Sequence, residues 1–236
     1  MDGRVLLSRP DRDEDGPRDG LQEKAIVIRV SKIPPERMSG HTEPAICVVT
    51  YGDKGCPWLD SLTKSNPQSE IWLIDDLRTG NSKTLWRNSD VPLREFWAKC
   101  GETVGSDRLW FLEHDVLVTT ALPDARDVLG VAGKDVMVGD GWMWMGERDR
   151  LEDGMFPVGI APLGVSVFSR EALDAIVNPR WDSLYEKDVF CELRTPSVVK
   201  TCGLPVDHIA LPDVRWHRRK SDVRPSIYHS IKGPRR

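Results

Sequence analysis

The chain has 236 residues, 39% of them hydrophobic, which is enough apolar content for one substantial core. A formal net charge of −4 gives no basic surface for nucleic acid, and no apolar run approaches the roughly 20 residues of a membrane-spanning helix. The five cysteines lack CxxC spacing, and the N-terminus lacks the apolar core of a signal peptide. These features favour a cytoplasmic protein with reduced thiols over a disulfide-framed or zinc-binding one.

Composition divides the chain into three segments. Residues 1–22 are charged and rich in Asp, Arg and Gly, which predicts a disordered tail. Residues 23–44 combine a short strand with a linker rich in Pro, Gly and Ser. Residues 45–236 form the predicted folded domain, and its last part is basic.

The folded domain begins with a strand, a helix and a second strand. Ala45–Tyr51 is an apolar run that stops at Gly52, and residues 57–64 suit a helix with Pro57 in its first turn. Glu70–Asp76 is the second strand. This spacing predicts a parallel βαβ unit with a right-handed crossover, and hence an α/β domain with a mostly parallel central sheet flanked by helices.

The stretch Arg108–Thr119 organises the rest of the prediction. Its apolar start predicts a buried strand, which ends at Glu113, His114 and Asp115. In an extended backbone Glu113 and Asp115 project to one side and His114 to the other. Two neighbouring carboxylates repel each other unless a cation lies between them, and Mg²⁺ or Mn²⁺ prefers such oxygen ligands. The stretch therefore predicts a divalent metal site, and the alternative is a strand that ends in two solvated acids.

The two earlier strands also end at polar residues. The first ends at Thr50, Tyr51 and Gly52, and the second ends at Asp75 and Asp76. Parallel strands present their carboxyl ends to one crevice, so these groups are expected to face the same site as the acid pair. For Asp76, capping of a turn is the alternative.

Further elements follow these three strands. Helices are predicted over 91–100, with Asp90 as the N-cap, and over 189–202, with Pro196 as a candidate break. A strand is predicted over 135–138. His114 and His208 are interpreted as ordinary strand histidines.

The order of these pieces resembles the GT-A type of glycosyltransferase, which transfers a sugar from a nucleotide diphosphate sugar. The resemblance rests on the passages LWFLEHDVLV, PLGVSVFSREAL, CELRTPSVVKTCGL and YHSIKG, and it covers roughly residues 45–232. It implies a single GT-A-like (Rossmann-like) nucleotide-sugar transferase domain over residues 45–236. It also implies a divalent cation, Mn²⁺ or Mg²⁺, a nucleotide diphosphate sugar as donor, and an acceptor that the resemblance leaves unidentified.

The resemblance assigns the metal ligands. Asp115 is one ligand and Glu113 the second, because the acid-x-acid pair of such enzymes holds the cation against the diphosphate. This sequence has Glu where the family has its first Asp, so Glu113 ligates either directly or through water. His229 in YHSIKG stands where a C-terminal His completes the metal shell.

The resemblance also assigns groups to the donor and the acceptor. Because negative charge develops on the leaving diphosphate, a bound cation with Lys232, Arg218 or Arg219 nearby would stabilise it. Glu192, at the head of its helix, resembles the acid that takes the acceptor's proton if the reaction inverts the anomeric centre. Its alternative role is a helix-terminal Glu favoured by the helix dipole. The nucleoside would be held by residues at the first two strand ends, namely Thr50, Tyr51, Gly52 and one of Asp75 and Asp76.

Two alternatives remain open on the sequence. One is a nucleotidyltransferase or metal-dependent phosphohydrolase that uses the same acidic edge. The other is a nucleotide-sugar-binding protein without turnover, suggested by the departure from Asp-x-Asp. No nucleic-acid partner is expected.

Overall fold

The computed structural model describes residues 5–7, 28–35, 43–51, 55–78, 85, 87–125, 129–132, 143–159, 163–209, 214–216 and 227–229. The strands, in chain order, are β1 (Val5–Leu7), β2 (Ile28–Ile33), β3 (Ala45–Tyr51), β4 (Ile71–Asp76), β5 (Arg108–Glu113), β6 (Leu117–Val118), β7 (Leu129–Ala132), β8 (Val165–Ser169), β9 (Asp207–Ile209), β10 (Val214–Trp216) and β11 (Ile227–His229). The α-helices are α1 (Leu59–Ser65), α2 (Asp90–Cys100), α3 (Arg170–Val177), α4 (Asp182–Glu186) and α5 (Cys191–Thr201). Three 3-10 segments cover Gly101–Thr103, Met143–Arg150 and Pro179–Trp181.

The central sheet has the strand order β1-β2-β4-β3-β5-β8-β7-β9. Its centre is parallel, because β3 pairs in parallel with both β4 and β5. Strands β2 and β8 run antiparallel to their neighbours, so β1, β3, β4, β5, β7 and β9 all share one direction. The predicted α/β class with a mostly parallel sheet is confirmed.

Helices cover both faces of this sheet, which is why its central strands are apolar on both sides. On one face, Phe96 of α2 and Leu193 of α5 join Phe111 of β5 in the larger core. On the opposite face, Leu62 of α1 joins Trp110 of β5 in a smaller core. Phe111 and Trp110 are neighbours in β5 and point to opposite faces, as the alternation of a strand requires.

A second, three-stranded sheet brings the C-terminal part of the chain back to the end of β5. Strand β11 pairs in parallel with β10 and antiparallel with β6, with Ile227 opposite Val118 and Tyr228 opposite Leu117. Strand β6 follows β5 closely in the chain. The pairing therefore puts β11 beside the carboxyl end of β5.

Several sequence predictions need correction. Residues 5–7 of the expected disordered tail form β1, which pairs with the edge of β2. Asp90 is the first residue of α2 rather than its N-cap, because its carboxylate binds Arg194 and Thr195. Helix α5 continues through Pro196, so this candidate break does not divide the helix. The strand predicted over 135–138 lies outside the described residues. No helix in the described stretches has the length and apolar character that crossing a membrane requires.

Candidate functional site

Strand β5 ends at Glu113, and a tight turn follows it. The backbone N–H of Val116 donates to the carbonyl oxygen of Glu113 at 3.0 Å, so His114 and Asp115 are the central residues of the turn. The expectation that an extended backbone projects Glu113 and Asp115 to the same side is wrong, because Asp115 lies in the turn. The two acids nevertheless belong to one four-residue turn, which we call the acidic turn (residues 113–116).

The side chain of Glu113 is buried against the backbone of Gly164, just before β8. Only 9% of Glu113 is exposed, and its backbone N–H donates to the carbonyl oxygen of Gly164 at 3.1 Å. A Cβ atom at position 164 would lie 2.6 Å from Cδ of Glu113, a separation that real Cβ atoms do not adopt. Glycine at this position therefore creates the space that the Glu113 carboxyl group occupies. No local pattern in the sequence marks Gly164 as a site residue.

Tyr51, at the end of β3, lies on the same face of the sheet as Glu113. Its ring makes an edge-to-face contact with His114, with 5.2 Å between ring centroids. Burial raises the pKa of the Tyr51 hydroxyl well above its ordinary value, and the charge of Glu113 raises this pKa further. The hydroxyl therefore keeps its proton. Among the described residues this buried oxygen has no hydrogen-bond partner.

Thr50 and Asp75 lie together on the opposite face of the sheet. The hydroxyl of Thr50 is within hydrogen-bonding distance of Oδ1 of Asp75 (3.3 Å) and of the carbonyl oxygen of Ile74 (3.4 Å). The Asp75 side chain is 21% exposed, and its Oδ2 lies 3.8 Å from Nη1 of Arg29. Asp75 is thus a partly accessible carboxylate at the carboxyl end of β4.

Asp76 has a different environment from Asp75. Its side chain is buried, and Arg78 binds both carboxylate oxygens, with Nε 2.9 Å from Oδ1 and Nη2 2.6 Å from Oδ2. The backbone N–H of Arg78 also donates to Oδ1 at 3.0 Å. Asp76 therefore closes the turn after β4, and the alternative that the sequence offered for this residue is confirmed.

Glu192 lies in the first turn of α5 and is 6% exposed. The preceding residue, Cys191, lies in the larger core, against which Tyr51 also packs. The start of α5 is therefore close to the carboxyl end of β3 on the face that also carries Glu113.

A fully buried ion pair holds α5 against α2. Arg194 donates from Nε to Oδ2 of Asp90 at 3.0 Å and from Nη1 to the carbonyl oxygen of Val189 at 2.7 Å, while the hydroxyl of Thr195 donates to Asp90 at 2.7 Å. Burial lowers the pKa of Arg194, but the charge and the hydrogen bonds of Asp90, together with the nearby Tyr185, outweigh this effect, so the guanidinium stays charged. The pair fixes the position of the first two turns of α5.

The register of β11 brings the backbone of residue 229 close to the acidic turn. Tyr228 is opposite Leu117 in an antiparallel pairing, so the next residue of β11 approaches Val116, the last residue of that turn. Among the predicted site residues, the side chain of His229 lies outside the described part of the structure, as do Gly52, Arg218, Arg219 and Lys232.

The acidic turn offers ligands that suit a hard divalent cation. Glu113 and Asp115 carry carboxylate oxygens, the ligands that Mg²⁺ and Mn²⁺ prefer, and the space left by Gly164 fixes one of these carboxylates. Among the side chains that the structure describes, no three His, Cys, Asp or Glu residues are grouped closely enough to hold a metal. A complete shell would therefore need His229 or phosphate oxygens of a ligand in addition.

No protein-family model matches the sequence. No curated protein matches it either. Solved structures with a similar chain path do exist. One is a glycosyltransferase involved in the glycosylation of the major capsid of PBCV-1. Its sequence identity to this chain is 10% and the TM-score is 0.40, and the match covers 79% of this chain and 93% of that chain.

A second solved structure is the galactosyltransferase LgtC in complex with donor and acceptor sugar analogues, at 14% identity and a TM-score of 0.45. It covers 80% of this chain and 87% of that chain. An active-site variant of LgtC is similar at 15% identity and a TM-score of 0.42, over 80% of this chain and 88% of that one. All three are structures of glycosyltransferases.

Proposed function

We propose that this protein is a metal-dependent glycosyltransferase, which moves a sugar from a nucleotide diphosphate sugar to an acceptor. One observation carries the proposal. The pairing of β11 with β6 brings the strand of His229 to the turn that contains Glu113 and Asp115. These are the three residues that a metal shell of this kind would use, and His229 comes from a part of the chain distant from the two acids. A cytoplasmic location remains a prediction from the cysteines.

In this proposal the nucleoside binds at the ends of β3 and β4. Asp75 is the acid that would contact it, because Asp75 is partly exposed whereas both oxygens of Asp76 are bound by Arg78. The Thr50 hydroxyl would orient Asp75 through their 3.3 Å contact. Tyr51 would offer its protonated hydroxyl on the other face, toward the donor.

The diphosphate would bind at the acidic turn. Asp115 and Glu113 would hold the cation, with His229 as a further ligand, and the bound cation would neutralise the charge that develops on the leaving diphosphate. Lys232 would supply a point charge to the same phosphates. Glu192, in the first turn of α5, would accept the acceptor's proton if the reaction inverts the anomeric centre.

The experiment is a calorimetric titration of the full chain with a panel of nucleoside diphosphates and nucleotide sugars, with and without Mn²⁺. The expected result is binding that requires the cation. Turnover is then assayed as release of nucleoside diphosphate on a panel of acceptors. Release that depends on an acceptor supports the transferase. Release of diphosphate or phosphate without an acceptor would instead identify a hydrolase, and metal-dependent binding without turnover would identify a binding protein.

A matched pair of variants links the activity to the acidic turn. Asp115→Asn removes one charge from the proposed metal shell while keeping the side-chain shape, and most of the activity should be lost with the fold intact. Asp107→Asn is the control, because Asp107 precedes the opposite end of β5 and its side chain is 87% exposed. If Asp115→Asn turns over at the wild-type rate at saturating donor and metal, Asp115 is not a ligand of the metal.

A further inference from the structure

Helix α5 is capped by a carboxylate from a distant part of the chain. Phe190 is its N-cap residue and makes no side-chain capping hydrogen bond. Its backbone N–H donates instead to Oε2 of Glu147 at 3.0 Å. In a capping box, a Glu of the helix itself accepts from this N–H. Here the acid comes from the 3-10 segment Met143–Arg150.

Arg87 holds Glu147 in this position. Its Nη1 lies 2.9 Å from Oε1 of Glu147, and its Nη2 donates to Oε2 at 3.0 Å. The same Nη2 donates to the carbonyl oxygen of Asp188 at 2.8 Å, and the carboxylate of Asp188 accepts from Asn88 at 2.7 Å. Asp188 has a φ of 51°, which residues other than glycine rarely adopt. Arg87, Glu147 and Asp188 together form what we call the capping clamp.

The charges of the capping clamp favour this arrangement. Burial raises the pKa of Glu147, but the hydrogen bonds from Arg87 and from the N–H of Phe190 outweigh it, so the pKa lies below its ordinary value. Glu147 is therefore ionised at neutral pH. A negative charge at a helix N-terminus is stabilising, because it faces the positive end of the helix dipole.

We propose that Glu147 is a positioning residue, which fixes the first turn of α5 and thereby the position of Glu192 against the sheet edge. The inference rests on the proposed function, in which Glu192 accepts the acceptor's proton. Glu192 is the second residue of α5 and Phe190 is its N-cap, so the hydrogen bond from Phe190 to Glu147 acts two residues from the proposed base. Glu147 acts through the helix and not on the substrate.

Two variants of Glu147 separate its hydrogen bond from its charge. Glu147→Ala removes both, whereas Glu147→Gln keeps an oxygen that accepts from the N–H of Phe190. The matched control is Glu171→Ala. Glu171 is a carboxylate in the first turn of α3 and bonds to the N-cap Ser169, which pairs with Arg108 at the amino end of β5, the end opposite Glu113.

For Glu147→Ala we expect kcat to fall roughly tenfold to a hundredfold, with the donor KM nearly unchanged, because small misplacements of a reacting group cost rates of this order. Glu147→Gln should restore most of the lost kcat. Glu171→Ala should lower the melting temperature without changing kcat. In native-state hydrogen exchange, the amides of residues 190–193 should exchange faster in Glu147→Ala than in wild type and Glu147→Gln.

Two results would overturn the proposal. One is wild-type kcat in Glu147→Ala, and the other is unchanged exchange at the Glu192 amide in that variant. The exchange measurement also separates this inference from the proposed function. If the wild-type protein turns over no nucleotide sugar, the proposed function fails. In that case, faster amide exchange at residues 190–193 in Glu147→Ala, with wild-type exchange in Glu147→Gln, would still support the capping role of Glu147. Unchanged amide exchange in Glu147→Ala would still overturn that role.

Discussion

The carboxyl group of Glu113 occupies the position that a side chain on residue 164 would need, since a Cβ there would lie 2.6 Å from Cδ of Glu113. The register of the sheet creates this relationship. Leu112 of β5 is opposite Val165 of β8 in an antiparallel pairing, so the next residue of β5 meets the residue before β8. The position of one proposed metal ligand thus depends on the absence of a side chain on the adjacent strand.

Gly164→Ala should therefore displace the Glu113 carboxyl group. We expect a loss of about 1–3 kcal/mol of stability, the usual cost of overpacking, together with weaker Mn²⁺-dependent binding of donor. Thermal unfolding and calorimetry measure the two effects. Gly105→Ala is the control, because the nearest atom to a Cβ there is 3.8 Å away. In a Glu113→Ala background, Gly164→Ala should lose most of its stability cost. If the stability costs of the two substitutions simply add in the double variant, the proposed contact between Glu113 and residue 164 is refuted.

Tyr51→Phe should leave stability unchanged or increase it while weakening donor binding. The hydroxyl of Tyr51 is buried without a hydrogen-bond partner among the described residues, and an unsatisfied buried polar group costs about 1–3 kcal/mol. Tyr185→Phe is the matched control, because the hydroxyl of Tyr185 is buried in the same way beneath α5, where its ring contacts Arg194. Equal donor affinity in wild type and Tyr51→Phe would show that the hydroxyl does not contact the ligand.

His229→Ala should reduce the affinity for Mn²⁺ in the presence of nucleoside diphosphate by about tenfold or more, if an imidazole ligand is lost. The control is His208→Ala, since His208 lies in β9 at the far edge of the central sheet. Isothermal titration with Mn²⁺ measures both. The same loss of affinity in both variants would indicate general destabilisation rather than a ligand at position 229.

Asp90→Asn should be strongly destabilising, because it leaves the buried guanidinium of Arg194 without its counter-ion. Both side chains are 0% exposed, and breaking such a pair costs about 3–5 kcal/mol. For a chain of this size the melting temperature should fall by roughly 10 °C. Asp149→Asn is the control, since its pair with Arg148 is largely exposed and the melting temperature should not change. A fall of only one or two degrees in Asp90→Asn would contradict the buried ion pair.

The charge of Glu147 should stabilise the protein at neutral pH and cease to do so in acid. Its pKa is lower in the folded state than its ordinary value of 4.5. A depressed folded pKa contributes stability above the unfolded pKa, and this contribution is lost as the pH falls through the folded pKa. The melting temperatures of wild type and Glu147→Gln should therefore differ at pH 7 and converge as the pH falls through the folded-state pKa, which lies below 4.5. A difference that does not shrink at any pH below 4.5 would show that the effect comes from side-chain shape and not from charge.

Local patterns in the sequence predicted the central elements well. The strand predicted over Ala45–Tyr51 has the observed bounds, and the helix over 91–100 begins one residue earlier in the structure. Apolar runs and helical spacing determine such elements locally, because they record which faces are buried. The turn after Glu113 was missed, since three polar residues in a row do not distinguish an extended backbone from a turn.

The sequence by itself determined the α/β class, the central strands and the acids at their ends, because each depends on residues within a short window. The tertiary structure decided which acid stays accessible, since the Asp76 side chain is buried against Arg78 whereas that of Asp75 is 21% exposed. It also decided the contact of Glu113 with Gly164 and the register of β11 beside the acidic turn. These are pairings between distant segments, and they depend on the order and direction of strands in the sheet. Local periodicity contains no information on that order, so only the folded chain brings these residues together.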